Sequence, residues 1–172
     1  MGECCRYAHR EGHFDAARRL IRYPEPHVTP TLREKAESIA KEFEDLEPRE
    51  RLELLLEFAE KLAPLPAEYQ AERDAGTNRV HECQTPVFLW ARVEDGRVQV
   101  FADVAPEAPT VKGFVSLLAE IFSGAQPDEV IAFEPNLVNR LGLADALGMV
   151  RMRGLTAVAY HIRQKVAQAI SG

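Results

Sequence analysis

Cys83 carries the most reactive side chain in the body of this sequence, where it is the only cysteine after residue 5. A cysteine thiolate is a nucleophile and can attack another sulfur atom in an exchange reaction. Its neighbours His81, Glu82 and Gln84 are polar, which is uncommon around a core cysteine. Two interpretations remain open at this point: a reactive thiol in a loop, or a part-buried side chain without chemistry.

The composition limits the classes of function. The 172 residues are 46% hydrophobic and 28% charged, values that fit a globular domain with a buried core. The net charge of −6 argues against general nucleic-acid binding, which requires a basic surface. No apolar run is long enough to cross a bilayer, and the first residues lack the apolar segment of a signal peptide. We therefore expect a cytoplasmic protein without a membrane partner.

Several common catalytic and cofactor-binding signatures are absent. The sequence contains no GxGxxG, Walker A, GxSxG, HExxH or Cys-x-x-Cys motif. An iron–sulfur cluster is normally held by about four thiolates, and the body of this chain supplies one. We expect neither a bound metal nor a cofactor of its own.

The segment in front of the cysteine, residues 29–62, predicts a helical hairpin. Thr29 and Pro30 are typical of an N-cap and a first helical position. Apolar residues then recur every three or four positions as far as Leu46, and a second amphipathic helix is predicted to begin at Pro48. We expect the apolar stripes of the two helices to face each other.

The hydrophobic period then changes from that of a helix to that of a strand. The polar segment 71–78 predicts a loop, and the alternating runs 87–93 and 98–104 predict two strands. Asp95-Gly96 between them is favoured in two-residue hairpin turns. The cysteine therefore lies in a loop that leads into an antiparallel β-hairpin.

The remainder of the chain has helical periodicity, with predicted helices at 110–122, 128–132, 137–141 and 151–169. The order of two helices, two strands and several helices predicts an α+β fold, with a small antiparallel β-sheet and helices packed on one face. Residues 1–28, which end near a cluster of prolines, are predicted to be an N-terminal appendage to a domain that spans residues 29–172.

Four segments occur in an order that is typical of one protein family. They read LEPRERLELLLEFAEKLAPLP, NRVHECQTPVFLW, TVKGFVSLL and VRMRGLTAV. Together they resemble the second helix, the cysteine motif, the Val-Lys-Gly segment and the Arg-x-x-Gly-Leu segment of the SufE family. The matching residues in the last three segments are Arg79, Val80, Cys83, Gln84, Val87, Val111, Lys112, Gly113, Arg151, Gly154 and Leu155. The similarity extends from about Thr29 to Ala169.

The resemblance implies a function for Cys83. Proteins of this family accept sulfur as a persulfide on the loop cysteine from a cysteine desulfurase of the SufS type, which uses pyridoxal phosphate (PLP). They stimulate that enzyme and pass the sulfur to an iron–sulfur scaffold complex of the SufBCD type. The resemblance thus implies a sulfur-transfer protein and desulfurase activator rather than a stand-alone enzyme.

Sulfur transfer between two proteins requires their sulfur atoms to meet. We therefore expect the loop to protrude or to swing outward, and to retract into an apolar pocket that protects the loaded sulfur. Phe88, Trp90 and Phe101 could line that pocket or could serve in the core.

The chain departs from the family pattern beside the cysteine. Glu82 stands where the family has glycine, which reduces backbone freedom and places a carboxylate next to the thiol. That charge would disfavour the thiolate unless another group offsets it, and Pro86 stiffens the base of the loop. These departures motivate an alternative function: a non-catalytic adaptor of the same fold that binds a desulfurase or scaffold without carrying sulfur.

Three matched or neighbouring residues have candidate supporting roles. Arg151 could stabilise the thiolate or orient the loop, or could be a solvated arginine at the start of a helix. His81 could assist proton transfer, or could be a solvated loop histidine. Gly113, near the start of a helix, is expected to let another backbone approach closely.

The N-terminal segment contains a further set of possible ligands. Cys5, His9 and His13 are spaced four residues apart and would share one face of a helix, which is compatible with a transition metal. Alternatively, Cys4 and Cys5 are adventitious thiols, or they relay sulfur to Cys83.

Overall fold

The computed structural model describes residues 30–134 and 137–171, and these ranges have an α+β architecture. Its elements, in chain order, are α1 (Leu32–Glu44), α2 (Pro48–Lys61), α3 (Ala67–Asp74), β1 (Val87–Glu94), β2 (Arg97–Val104), α4 (Pro109–Phe122), α5 (Pro127–Ala132), α6 (Leu137–Arg140), α7 (Ala144–Leu147) and α8 (Met149–Ser171). The predicted fold class is confirmed. The proposed appendage, residues 1–28, lies outside the described residues.

Helix α1 begins two residues later than the sequence predicted. Its N-cap is Thr31 rather than Thr29, and Pro30 precedes the helix. The Thr31 hydroxyl accepts a hydrogen bond from the Glu34 amide at 3.2 Å, and the Glu34 carboxylate accepts one from the Thr31 amide at 2.8 Å. This reciprocal capping box gives hydrogen-bond partners to two backbone amides at the start of the helix. A proline at the first helical position lacks an amide hydrogen and satisfies neither of them.

Helix α4 lies at the centre of the core, with most of its side chains buried. Helix α2 begins at Pro48 as predicted, but it packs mainly on α4 rather than on α1. The rings of Phe43 and Phe58 stack at 6.3 Å and connect α1 with α2. Helix α4 is apolar over most of its circumference, so it packs against the apolar faces of several neighbouring helices. The apolar stripes of α1 and α2 therefore do not simply face each other, as the sequence predicted.

The crossing of α2 and α4 depends on Gly113. A Cβ atom at this position would fall far inside the van der Waals radius of the Leu55 carbonyl oxygen. The backbones of the two helices therefore approach each other at a point where no side chain fits. This contact confirms the expected close approach.

The two strands pair in antiparallel register, with Trp90 opposite Phe101. Asp95 and Gly96 have φ values of 50° and 71°, as a type I′ turn requires. Alternate residues of the hairpin, such as Leu89 and Ala102, are buried on the face that packs against α4 and α8. The predicted strands and turn are confirmed.

The segment predicted as a loop, residues 71–78, is helical in its first half because α3 extends to Asp74. Helix α3 has no buried residue, so it lacks the apolar period that reveals a helix in a sequence. It lies over the other face of the hairpin, where Tyr69 stacks on Trp90 at 5.3 Å and contacts Phe101 at 5.2 Å. The Glu72 carboxylate accepts a hydrogen bond from the Trp90 indole at 2.7 Å.

The C-terminal helices follow the prediction with small changes. Helices α5 and α6 match the predicted segments, α7 was not predicted, and α8 extends two residues beyond its predicted span at each end. No helix in the described ranges combines the length and the apolar character needed to cross a membrane.

Candidate functional site

Cys83 lies at the tip of a short loop whose base is closed by strand-like hydrogen bonds. The Val80 amide donates to the Val87 carbonyl at 2.8 Å, and the Leu89 amide donates to the Asn78 carbonyl at 3.0 Å. On the other side, the Ala105 amide donates to the Pro86 carbonyl at 3.2 Å. The sheet therefore fixes both ends of the loop, residues 81–86, which we call the cysteine loop.

The cysteine side chain is turned into the protein. Cys83 is only 7% exposed and belongs to the hydrophobic core, whereas Glu82 and Gln84 on either side are exposed. Gly154 of α8 lies beside it, since a Cβ atom at Gly154 would be 3.5 Å from the Cys83 Sγ. The pocket that receives the thiol is thus formed in part by the backbone of α8.

The aromatic residues suggested as pocket lining have other surroundings. Phe88, Trp90 and Phe101 belong to the opposite face of the hairpin, where Trp90 and Phe101 contact Tyr69 of α3. Their contacts indicate a packing role between α3 and the sheet.

Burial sets the acid–base behaviour of the thiol. Loss of hydration raises the pKa of Cys83 above its ordinary value, and a hydrogen bond from the Thr85 backbone acts in the opposite direction. In this position the thiol is mostly protonated at neutral pH and shielded from reagents. Burial therefore makes Cys83 a weaker nucleophile than an exposed cysteine, because a smaller fraction of it is ionised.

The carboxylate of Glu82 is held by a histidine from α8. Its Oε2 atom lies 2.8 Å from Nε2 of His161, and this hydrogen bond is the main reason why the pKa of Glu82 lies below its usual value. The sequence predicted that Glu82 could disfavour the thiolate unless another group offsets it. His161 supplies that partner, and burial rather than Glu82 raises the pKa of the thiol.

Sequence reasoning missed His161 because it lies 79 residues from Glu82. The sequence of α8 contains one feature that could have pointed to His161. One face of this helix is formed by residues spaced three or four apart, namely Gly154, Val158, His161 and Lys165. Gly154 contacts Cys83, so the polar residues on the same stripe are candidates for contacts with the cysteine loop and its base.

The chain just before the loop is also tied to α8. The Asn78 side chain accepts a hydrogen bond from the Lys165 ammonium group and donates one to the Glu72 carboxylate at 2.8 Å. Asn78 adopts a positive φ of 64°, which asparagine tolerates better than most residues. Helices α3 and α8 thus hold the entrance of the loop from two sides.

The remaining candidate residues lie at the surface. Arg151 is exposed and lines an open cleft of about 310 Å³ together with Thr85 and Pro86 of the cysteine loop and Glu107–Val111 before and in α4. It forms no hydrogen bond with Cys83 among the described residues. His81 is exposed and is a second, weaker source of positive charge for Glu82. The structure places both residues around the loop, and their roles stay predictions.

The described ranges contain no group of three or more histidine, cysteine or acidic residues placed to bind a metal ion. The possible metal-binding residues Cys5, His9 and His13 lie outside these ranges, and so does Cys4.

Comparison with known proteins identifies related chains. Residues 37–166 match the family model described as "SufE: Fe-S metabolism associated domain". An uncharacterised SufE-like protein of Mycobacterium tuberculosis is 31% identical over 132 residues, which cover 76% of this chain and 90% of that protein. The cysteine desulfuration protein SufE of Plasmodium falciparum is 24% identical over 110 residues, which cover 62% of this chain and 42% of that protein.

A solved structure shares the architecture. The solution structure of a hypothetical protein from Thermus thermophilus is similar to this one with a TM-score of 0.69 and 36% sequence identity. The similarity covers 80% of this chain and 97% of the other.

Proposed function

The chain belongs to the SufE family, and we propose that it carries sulfur on Cys83 for iron–sulfur cluster assembly. In this proposal Cys83 accepts persulfide sulfur from a PLP-dependent cysteine desulfurase, which the transfer stimulates by clearing its product. The sulfur then passes to an iron–sulfur scaffold complex. The observation that carries the proposal is a lone body cysteine at the tip of a loop anchored by the sheet.

The transfer step needs only the thiolate of Cys83. The thiolate attacks the outer sulfur of the desulfurase persulfide, and a new sulfur–sulfur bond forms on Cys83. The old sulfur–sulfur bond breaks, and its electron pair leaves with the desulfurase cysteine as a thiolate. One sulfur–sulfur bond forms and one breaks, so the step requires no oxidant or reductant.

The retracted position of Cys83 imposes a movement before transfer. At 7% exposure the thiol cannot meet the sulfur of another protein. Since the hydrogen bonds at Val80, Val87 and Pro86 hold the base of the loop, we infer that the tip swings out while the base stays in place. Retraction afterwards would return the loaded sulfur to the apolar site beside Gly154.

The proposal is tested by incubating the full chain with a desulfurase of the SufS type, PLP and cysteine, and by measuring intact mass. We expect an adduct of one sulfur atom on the natural chain and on a Cys4→Ser, Cys5→Ser double variant. We expect no adduct, and no stimulation of the desulfurase, with Cys83→Ser. The same adduct on Cys83→Ser, or none on the natural chain, would refute a carrier role for Cys83.

An adaptor function is the second candidate, and the buried thiol favours it. A cysteine that never leaves its pocket could not carry sulfur, although the surface around the loop could still bind a desulfurase or scaffold. This alternative predicts that Cys83→Ser leaves both binding and stimulation of the desulfurase unchanged.

A further inference from the structure

We propose that His161 is a positioning residue that holds the cysteine loop closed through its contact with Glu82. When this contact breaks, the tip of the loop leaves α8 and Cys83 becomes accessible. The inference rests on the proposed function only in assigning a use to the open state, because the contact itself can be tested without any partner protein.

The contact is placed where it controls the tip of the loop. The base is held by backbone hydrogen bonds, but within the described part of the chain Glu82–His161 is the only side-chain hydrogen bond from residues 81–86 to another element. Glu82 directly precedes Cys83, so a loop that moves the cysteine outward must also move this carboxylate away from α8.

One face of α8 contacts both Cys83 and Glu82, so the Glu82–His161 contact can affect the position of the thiol. His161 lies seven residues after Gly154, or about two helical turns further along the same face of α8. Gly154 lies against Cys83, and His161 holds the adjacent residue. The loop therefore lies along a single stripe of α8, with a small residue opposite the thiol and a polar residue opposite the carboxylate.

Other charged and polar groups near the contact do not replace it. Lys165, one turn further along α8, is hydrogen-bonded to Asn78. His81 is exposed and contributes only weakly to the low pKa of Glu82. The Tyr160 ring lies 6.4 Å from the imidazole of His161 and is itself exposed.

The contact is partly exposed, which makes it suitable for reversible opening. The side chains of His161 and Glu82 are 24% and 58% exposed, so water and salt weaken their attraction. Exposed ion pairs change an equilibrium constant by roughly 1.4- to 5-fold. We expect loss of the contact to raise the population of the open loop by a factor in this range.

The experiment measures alkylation of Cys83 by iodoacetamide, a neutral reagent, over a range of pH. Trypsin cleavage after Arg79 and Arg92 gives a peptide, residues 80–92, that contains Cys83 and excludes Cys4 and Cys5. Rates are compared for the natural chain, His161→Ala, Glu82→Ala and the double variant. Arg33→Ala, which removes an exposed ion pair on α1 far from the cysteine loop in sequence, serves as the control.

The expected result is an alkylation rate near pH 6, where a histidine ordinarily carries a charge, that rises about 1.4- to 5-fold in His161→Ala and in Glu82→Ala. The double variant should be no faster than the single ones, since both remove the same contact. Arg33→Ala should match the natural chain. Thermal unfolding monitors folding of each variant, and exposed Glu82 provides a second test if His161→Ala does not fold.

A purely electrostatic role predicts a different pattern. Loss of positive charge at His161 would then slow alkylation near pH 6, whereas loss of the anion at Glu82 would accelerate it. That pattern, unchanged rates, or additive effects in the double variant would each overturn the proposal. Normal sulfur loading with unchanged alkylation would refute the positioning role alone, and leave the carrier function intact.

Discussion

In the proposed sulfur-transfer function, Cys83 has two requirements that conflict within a single conformation. Nucleophilic attack needs an ionised and accessible sulfur, whereas storage of a reactive sulfur is favoured by exclusion of water. The structure meets the second requirement, because the thiol is buried beside Gly154 and its pKa is raised. In that proposal the first requirement is met by movement of residues 81–86, and the reactivity of Cys83 would then report the position of the loop.

The raised pKa predicts the pH dependence of Cys83. Alkylation of the folded chain should rise with pH through a midpoint above that of the same cysteine in denaturant, because burial disfavours the thiolate. The stability that comes from the protonated thiol should be complete below the pKa of the unfolded chain. It should be lost as pH rises through the higher folded pKa.

Two measurements check this expectation. Alkylation of the 80–92 peptide gives the midpoint, and urea unfolding of the natural chain and of Cys83→Ala gives the pH dependence of stability. The natural chain should lose stability relative to Cys83→Ala at alkaline pH. A folded midpoint at or below that in denaturant would contradict the assigned effect of burial.

At the scale of elements, two helical glycines differ in how much space surrounds them. Gly113 allows the backbones of α2 and α4 to touch at Leu55, where an added methyl group has no space. Gly154 in α8 faces Cys83, where an added Cβ would lie at an ordinary contact distance of 3.5 Å from Sγ. Replacement by alanine should therefore disturb the packing at Gly113 but be accommodated at Gly154.

Gly113→Ala should destabilise the protein by about 1–3 kcal/mol, since α2 and α4 must move apart to admit the methyl group. Gly154→Ala should leave stability unchanged or raise it by up to about 1 kcal/mol, because alanine is the better helix former. Urea unfolding of both variants measures the difference. Equal stability of the two variants would show that the α2–α4 crossing is less closely packed than described.

Over the whole molecule, Arg51 connects parts of the chain that are far apart in sequence. Its guanidinium group donates to the carbonyls of Phe43 at 3.1 Å and Glu44 at 3.3 Å, at the end of α1. It also donates to the carbonyl of Gly142 at 3.1 Å, between α6 and α7. These bonds satisfy carbonyl groups that no helix satisfies internally.

Arg51→Ala should lower the free energy of unfolding by about 1–3 kcal/mol, because it removes the donor of the part-buried Gly142 carbonyl and the side-chain bonds that hold the end of α1. Arg49→Ala, two residues earlier on α2, is the control. Arg49 forms an exposed ion pair with Glu53, so its loss should cost at most about 0.5 kcal/mol. Chemical unfolding of both variants gives the comparison, and a similar small loss in both would rule out a connecting role for Arg51.

Local features of the sequence were sufficient for much of this description. The Asp95-Gly96 turn, the alternation in both strands, the start of α2 at Pro48 and the position of Cys83 before β1 all follow from interactions within a few residues. The ordered motifs placed the chain in its family, and the Val-Lys-Gly segment indicated the close approach at Gly113.

The two wrong predictions have different physical causes. The sequence predicts a loop at residues 71–78, where α3 ends, because α3 buries no side chain; its helical state is supported by contacts of Tyr69 with Trp90 and Phe101 on the hairpin. The predicted start of α1 is two residues too early, because the capping box of Thr31 and Glu34, rather than Pro30, sets the first turn of the helix.

The amino-acid sequence alone determined the α+β class, the family and the cysteine most suited to sulfur chemistry, because local periodicity and ordered motifs carry that information. Only the tertiary structure decided the state of that cysteine. Its burial, its contact with Gly154 and the pairing of Glu82 with His161 join residues that are distant in the chain. Such contacts depend on how the sheet and α8 pack together, which no local pattern specifies.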